Sequence, residues 1–411
     1  MSGDYRADAE KLLDVITLDS ELNKIKDVDI LLERILTEAR RVVQADAGSI
    51  YIKKADKLAI SYAQNASLQR KLPKGNKLIY KFFEVPIDKK SISGYVAATG
   101  ELLNISDVYE LPEGAPYGYN KKYDQLSGYR SCSMLTIPLK TNNNDLLGVI
   151  QFINKIGCDG VICPFTREDE ILVTHFAANV TVALQRAQMT RAILLRMISM
   201  AELRDPKETG PHVNRVAGFS VEIYEKWALN HGVSEDEIQR NRDNLRMAAM
   251  LHDVGKVAIS DLILKKPARF NDEEYEIMKT HTLSGAKLFV DNHSELDDIA
   301  REIVLTHHEN WDGSGYPGYV DIMTNKPLGR RKKVVGRKGT EIPLFGRIVA
   351  IADVYDALRS KRVYKEAWSE DDVLSEMRSM RGTKFDPELV DIFFEVLPSI
   401  QTIAEKYADK E

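Results

Sequence analysis

Cysteine is scarce in this chain. Cys132, Cys158 and Cys163 are the only three, and they form no CxxC pair. That pattern argues against a disulfide framework and fits a reducing compartment. Long apolar runs are missing too. Nothing approaches the roughly 20 residues needed to cross a bilayer, so no membrane span is expected. No early segment joins a basic start to a long apolar run, so no signal peptide is expected and the location is read as cytoplasmic. Neither sign of charge dominates. A net charge of −5 implies no general polyanion-binding surface, and no duplex nucleic-acid partner is expected. What remains is an ordinary globular composition, 44% hydrophobic and 29% charged, in 411 residues. That is too long for one ordinary core and points to two or three domains.

The organisation changes twice. "DILLERILTEARRVV" (Asp29–Val43) places Ile30, Leu31, Ile35, Ala39 and Val42 on one helical face. From Ala47 the runs "AGSIYI", "KLAISYA", "SCSMLTIPLK" and "DLLGVIQFIN" are short and β-rich, with a hairpin turn at "TNNNDLLG". These predict an α+β domain, an antiparallel sheet flanked by helices. Between Thr166 and Leu203 there is neither proline nor glycine, and Thr166 with Asp169 resembles a capping box. One long helix is expected there, of a kind that often pairs with its own copy. From Asp205 onward only helical periodicity is found, which predicts an all-α domain. The expected boundaries are an N-terminal helix at 1–28, the α+β domain at 29–187, a linker helix at 188–204, the all-α domain at 205–400 and a tail at 401–411. A basic stretch, Tyr319–Glu341, reads as a solvated surface loop.

Histidine is concentrated. Seven of the eight lie in the helical half. His252 adjoins Asp253 at the end of "LRMAAMLHDVGK". His281 is read as lying inside the helix "YEIMKTHTLSGAKLF". His307 and His308 end "AREIVLTHH", and His212 follows Glu208 by four residues, with Pro211 opening a helix. Asp353 stands among apolar neighbours in "GRIVAIADVYDAL", where an unpaired carboxylate is costly. It needs a metal or a cation such as Arg347. Five imidazoles and three carboxylates without a thiolate suit iron, manganese or zinc in a cluster of two or three ions. His175, His231 and His293 are read as ordinary surface or core residues.

Four stretches in order, "HDVGKVAISDLILKKPARF", "MKTHTLSGAKLF", "HHENWDGSGYPG" and "IPLFGRIVAIADVYDALRSKRVYKEA", resemble the HD-GYP family. These are metal-dependent phosphodiesterases of the HD superfamily that hydrolyse cyclic di-GMP. The resemblance covers about residues 205–399. It implies that His212, His252, Asp253, His281, His307, His308 and Asp353 ligate metals, with Glu208 as the extra ligand of three-metal members. It assigns Asp253 and Lys256 to catalysis, and Lys256, Tyr316, Arg362 and Lys365 to the substrate. Tyr316 and Trp311 offer flat faces to a purine. The first half resembles GAF sensor domains, through "SISGYVAATGELLNISDV", "MLTIPLK", "LLGVIQFINK" and "PFTREDEILVTHFAANV". Asn154, Lys155, Phe165, Asp169 and Glu170 match a motif found in cyclic-nucleotide-binding GAF domains and, in a structural role, in others.

The expected reaction is therefore hydrolysis of cyclic di-GMP to pGpG, with further cleavage to GMP left open, using two or three divalent ions, iron first and manganese as the alternative. A different cyclic dinucleotide, cyclic GMP–AMP, and a catalytically idle receptor are the competing readings. The expected regulation is a homodimer through the GAF domain and linker helix, with a small ligand at the GAF domain.

Overall fold

In the computed structural model, which describes residues 21–73, 78, 83–202, 210–291, 294–329, 333–359 and 368–409, the Asp29–Val43 periodicity becomes helix α1 (Val28–Val42). Asp27 caps it, its Oδ1 accepting from the backbone N–H groups of Asp29 (2.8 Å) and Ile30 (3.1 Å). Arg40 and Arg41 in the last turn complement the helix dipole. Leu31, Ile35 and Leu36 are fully buried, each worth roughly 1.5–3 kcal/mol.

The chain divides into two compact units, the first ending at Arg191 and the second starting at Ala192. The first continues through β1 (Ala45–Lys54), β2 (Lys57–Asn65), α2 (Ala66–Gln69), β3 (Glu84–Pro86), α3 (Ile92–Thr99), β4 (Leu103–Ile105), α4 (Lys122–Ser127), β5 (Met134–Lys140), β6 (Leu146–Ile156) and β7 (Ile162–Cys163). Among the described residues these strands form one antiparallel sheet in the order β3-β2-β1-β6-β5-β4, with β7 also on β6. The register sets Ile50, Ile150 and Ile137 in one row and Ser49, Gln151 and Thr136 in the next. Side chains alternate between faces, so the isoleucine row joins the core built with α1 and with Phe176, Val180 and Leu184. Those three lie on α5 (Arg167–Glu202), the unbroken helix that the missing glycine and proline predict.

The five GAF-motif residues are held by hydrogen bonds and ion pairs within this unit, one of them, Lys155–Asp169, inside the motif itself. Asn154, at φ +58°, is buried; its Oδ1 accepts from Cys132 N–H (2.6 Å), and its Nδ2 donates to Tyr129 Oη (2.9 Å) and Arg130 O (2.8 Å). Lys155 pairs with Asp169, and Asp169 in turn accepts from Thr166 N–H at 2.7 Å, which caps α5 as expected. Asn104 donates to Phe165 O (3.0 Å) and Glu170 Oε1 (2.9 Å).

The second unit holds α6 (Gly210–Asn230), α7 (Glu235–Ala249), α8 (Asp261–Leu264), α9 (Asp272–Lys279), α10 (His281–Lys287), α11 (Glu295–Thr306), α12 (Leu344–Arg359), α13 (Glu370–Ser379), α14 (Pro387–Glu395) and α15 (Leu397–Lys406). Helix α12 is apolar nearly all round and runs through the core: Ile348, Val349, Ile351 and Tyr355 are fully buried. Tyr355 meets Phe219 of α6 and Phe393 of α14 at ring centroids of 5.5 and 4.9 Å. Helix α12 therefore carries Asp353 into the middle of the bundle.

The stretch Tyr319–Glu341 is largely exposed, as expected of a solvated loop, but its ends are pinned by backbone hydrogen bonds. Tyr319 N–H donates to Val335 O (2.9 Å), Gly339 N–H to Trp311 O (2.9 Å), and Val320 is buried. Both ends fold back on the preceding turn, while most of the described residues between them, such as Met323, Lys326, Val334 and Lys338, are exposed. Charge density alone hid the pinned ends, because the packing is made by Tyr319, Val320 and the backbone.

Asn154→Ala removes three hydrogen bonds from a buried site and leaves alanine at a left-handed position. We expect a loss of about 3 kcal/mol in the stability of the first unit. Denaturant-dependent hydrogen exchange at β5 and β6 measures it.

Candidate metal centre

Among the described residues, the predicted ligands lie at element ends, in the turn after α7, or inside a helix. Pro211 sits in the first turn of α6, as anticipated, with His212 next to it. His252 and Asp253 are not on a helix, as the sequence suggested. Helix α7 stops at Ala249, and the pair lies in the turn leading to a 3-10 helix, Val254–Ala258. His281 is on a helix, as expected, but at its first residue. The run breaks at Thr280, and His281 opens α10. His307 is the C-cap of α11, as expected, and His308 follows it.

One glycine makes the approach possible. A Cβ on Gly255 would stand 1.9 Å from His281 O and 2.5 Å from Gly285 N. With hydrogen there, the turn presses onto α10 and brings Asp253 to His281.

Two ligand groups result, with ligand atoms within 4.8 Å of one another in each: Asp253, His281, His307 and His308, and then His212, His252 and Asp353. Asp253 links them. Its Oδ1 lies 3.2 Å from His281 Nε2 and 3.6 Å from His307 Nε2, and its Oδ2 lies 3.3 Å from His252 Nε2. Asp353 Oδ1 lies 3.8 Å from the Nε2 atoms of both His212 and His252.

The other ring nitrogens decide what these distances mean. His252 Nδ1 is 2.8 Å from Ala249 O, His281 Nδ1 is 2.7 Å from Met278 O, and His307 Nδ1 is 3.1 Å from the carbonyls of Ile303 and Val304. A carbonyl only accepts, so each Nδ1 carries the proton and each neutral ring turns a lone pair inward at Nε2. His212 Nδ1 donates to Asp356 Oδ2 at 2.8 Å, with the same outcome. Acceptors thus face acceptors. His281 Nε2, His307 Nε2 and Asp253 Oδ1 are buried without a hydrogen-bond partner among the described residues. Such a cluster is costly unless a cation occupies it.

The electrostatics agree. Burial pushes His307 below its usual value and His308 well below, with neighbouring histidines adding to the effect on His308, so both rings stay neutral. Burial would raise the Asp253 carboxyl, but Lys256 and His252 together hold it well below the carboxylate range. Neutral imidazole and ionised carboxylate are the ligand forms.

Comparison with known proteins fits this geometry. Residues 27–184 match the GAF domain family, residues 209–358 match an HD domain family, and residues 334–389 match a second HD domain family. The chain carries a GAF domain followed by an HD domain. It is 36% identical over 217 residues to a "3'3'-cGAMP-specific phosphodiesterase 2" of Vibrio cholerae, covering 53% of this chain and 37% of that protein. It is 35% identical over 256 residues to a "Probable cyclic di-GMP phosphodiesterase" of the same organism, covering 60% and 54%. A "Cyclic di-GMP phosphodiesterase" of Thermotoga maritima is 37% identical over 218 residues, covering 53% and 52%. The chain spans about half or less of these relatives' own length. No helix among the described residues is long and apolar enough to cross a membrane.

The HD domain brings seven of the eight predicted metal ligands together. Glu208 lies outside the described residues, as do Arg362 and Lys365. Lys256 Nζ stands 2.7 Å from Asp253 Oδ2. Tyr316 stacks on His308 at a centroid distance of 4.8 Å. Trp311 instead braces two loops: its N–H donates to Lys384 O (3.0 Å), and the Arg347 guanidinium lies 5.8 Å from its ring. Arg347 is spent on Asp386 at 2.5 Å and is no partner for Asp353. His231 and His175 stand apart from both ligand groups; His231 stacks on Trp227. His293 lies outside the described residues.

Sequence reasoning missed two supporting carboxylates. Asp356, one helical turn beyond Asp353, is buried between His212 and Arg215, whose Nε donates to it at 2.6 Å. The i, i+3 spacing of the two aspartates in an apolar helix was the available signal. Glu309, directly after the His307–His308 pair, accepts from the backbone N–H groups of Gly318 (2.5 Å) and Arg337 (3.1 Å). It ties the Tyr316 turn to the far end of the basic stretch.

Asp356→Asn leaves the His212 side chain in place but weakens the acceptor that fixes its tautomer. We expect metal affinity to fall about 10- to 100-fold. Chelator competition with Mn²⁺ measures the change, and unaltered affinity contradicts the role assigned to Asp356.

Proposed function

We propose that the HD domain is a metal-dependent phosphodiesterase acting on cyclic di-GMP and yielding linear pGpG. The observation that carries this reading is the pair of adjacent ligand groups joined by Asp253, with Lys256 beside them. The names of the relatives at 35% and 37% identity support the substrate. His281, His307, His308 and Asp253 would hold one divalent ion, and His212, His252 and Asp353 another. Glu208 is the proposed ligand for a third. Iron is the first choice and manganese the second, since mixed imidazole and carboxylate ligation suits both. When bound, such ions supply Lewis acidity and acidify water toward neutral pH.

The chain's own residues do the rest. Two carboxylates cannot neutralise two divalent ions, so the site keeps positive charge for a phosphodiester. Lys256 holds an ammonium beside Asp253, where it stabilises negative charge building on the scissile phosphate. Tyr316, stacked on His308, closes one wall. Arg362 and Lys365 are assigned to the substrate's phosphates or guanine.

Cyclic GMP–AMP is the second reading, favoured by the relative at 36% identity named for that substrate. His307→Ala and Asp253→Ala should each lower turnover of cyclic di-GMP at least about 1,000-fold and release bound metal. Product chromatography with Mn²⁺ and with Fe²⁺ tests this. Parental rates in both variants would refute the mechanism, and a ten-fold preference for cyclic GMP–AMP in competition would move the substrate to the second reading.

For regulation, the proposal is a parallel homodimer through the GAF domain and α5, responding to a small ligand. Val182, Met189, Ile193, Met197 and Met200 are exposed large apolar residues of α5, at spacings of seven, four, four and three. That spacing supports pairing with the same helix of a second copy. The bonding of the GAF motif residues to their own unit, Lys155 to Asp169 and Asn154 to Cys132, Tyr129 and Arg130, supports a structural part for them. Sedimentation should give a dimer that Val182→Glu with Met189→Glu converts to a monomer.

A further inference from the structure

Beside the ligand groups the HD domain has a cleft of about 350 Å³, lined by Tyr275, Lys279, His308, Asn310, Tyr316 and Lys384, with Ser314 and Gly315 at its edge. This lies at the lower end of volumes that hold small ligands, roughly 300–1,000 Å³. His308 belongs to both the cleft and a ligand group, so whatever fills the cleft adjoins what sits at the metals.

Lys384 is unusual within it. It is only partly exposed, yet no carboxylate lies within ion-pair distance among the described residues. Its neighbours in sequence are all engaged. Arg381 grips Asp391 through two bonds of 2.9 and 2.7 Å, and Asp386 takes Arg347 and caps α14. The backbone around Lys384 is pinned as well: Trp311 N–H donates to Lys384 O and Asp312 N–H to Thr383 O, at 3.0 and 2.9 Å. Its Nζ lies 5.8 Å from the Phe385 ring centroid and feels the Asp353 carboxylate only from beyond ion-pair distance, so this half-buried ammonium has no direct ion pair and is open to an anion from outside. Lys279, the other ammonium of the cleft, lies over the Tyr275 and Tyr316 rings at 4.7 and 5.6 Å, and its ion pair is with Glu276, whose side chain is 70% exposed. A solvent-screened pair of that kind is worth little and is readily exchanged.

We propose that Lys384, aided by Lys279, binds the second phosphate of the substrate, the one not being cleaved. The cleft then selects a ligand carrying two phosphates over a simple phosphodiester. This rests on the dinucleotide reading above. The remaining lining groups suit the sugar and base attached to that phosphate: the Asn310 amide and Ser314 hydroxyl, bonded to each other at 2.9 Å, and the rings of Tyr275 and Tyr316.

The test compares Lys384→Ala, Lys384→Met and Lys384→Arg in the metal-loaded full chain. Two substrates are used: cyclic di-GMP with two phosphates and bis(p-nitrophenyl) phosphate with one. Loss of a charge-assisted bond is expected to raise KM for cyclic di-GMP about 10- to 100-fold in the Ala and Met variants. That rise should exceed any change for the one-phosphate ester at least ten-fold, and arginine should restore most of it. Equal losses on both substrates, or none, overturn the assignment, with thermal melts separating a folding defect from a binding one. A parent chain that cleaves the simple ester but no cyclic dinucleotide refutes the substrate reading by itself. The cleft is then judged by GDP inhibition of ester cleavage: a ten-fold weaker inhibition in Lys384→Met supports the second-phosphate site, and unchanged inhibition overturns it.

Discussion

The HD domain depends on a small constraint repeated from several elements: a backbone carbonyl or carboxylate claims the Nδ1 proton of four imidazoles, those of His212, His252, His281 and His307. Ala249, Met278, Ile303 and Val304 do this with main-chain oxygens, and Asp356 does it for His212. Once the proton is fixed there, Nε2 has only a lone pair to present, and it presents it toward Asp253 and Asp353. Without a cation the bundle would bury mutually facing acceptors. With one, the same arrangement is a preorganised site whose ligands cost little to order.

The surrounding packing serves that geometry. Gly255 allows a turn to lie against α10 at a distance no side chain would permit. The apolar helix α12 carries Asp353 through the core, and α11 ends where its last residues must turn inward. Glu309 then holds the next turn in place through two backbone amides. The order is from core to candidate ligand to the turn beside it: burial fixes helices, helix ends fix imidazoles, and one carboxylate fixes the Tyr316 turn.

Much of this was legible in the residues. The α+β half followed from period-two runs broken by glycine and asparagine, and α5 from an absence of breakers. The ligands followed from paired histidine and aspartate in helical surroundings, where an unpaired charge has no inexpensive place. Local backbone detail was less legible. His252 and Asp253 read as helical because their flanks are apolar and periodic, whereas α7 stops at Ala249 and the pair lies in a turn; His281 does lie on a helix, at the first residue of α10. Asp356 was passed over because one buried carboxylate in α12 had already been explained. Lys384 was passed over because nothing near "RGTKFDP" differs from an ordinary turn; its position depends on a contact with Trp311 that is 73 residues away in the chain. Charge describes the exposed side chains of the basic stretch but does not show the backbone pairing at its ends.

The central claim is that cations fill the space between these facing lone pairs. Anomalous diffraction from crystals of the full chain, collected across the iron and manganese edges, tests it most directly. The account predicts at least two adjacent metal peaks, one bounded by Asp253, His281, His307 and His308 and one by His212, His252 and Asp353. Protein soaked in excess Fe²⁺ or Mn²⁺ that shows no anomalous density at either position, with the side chains ordered as described, would contradict it.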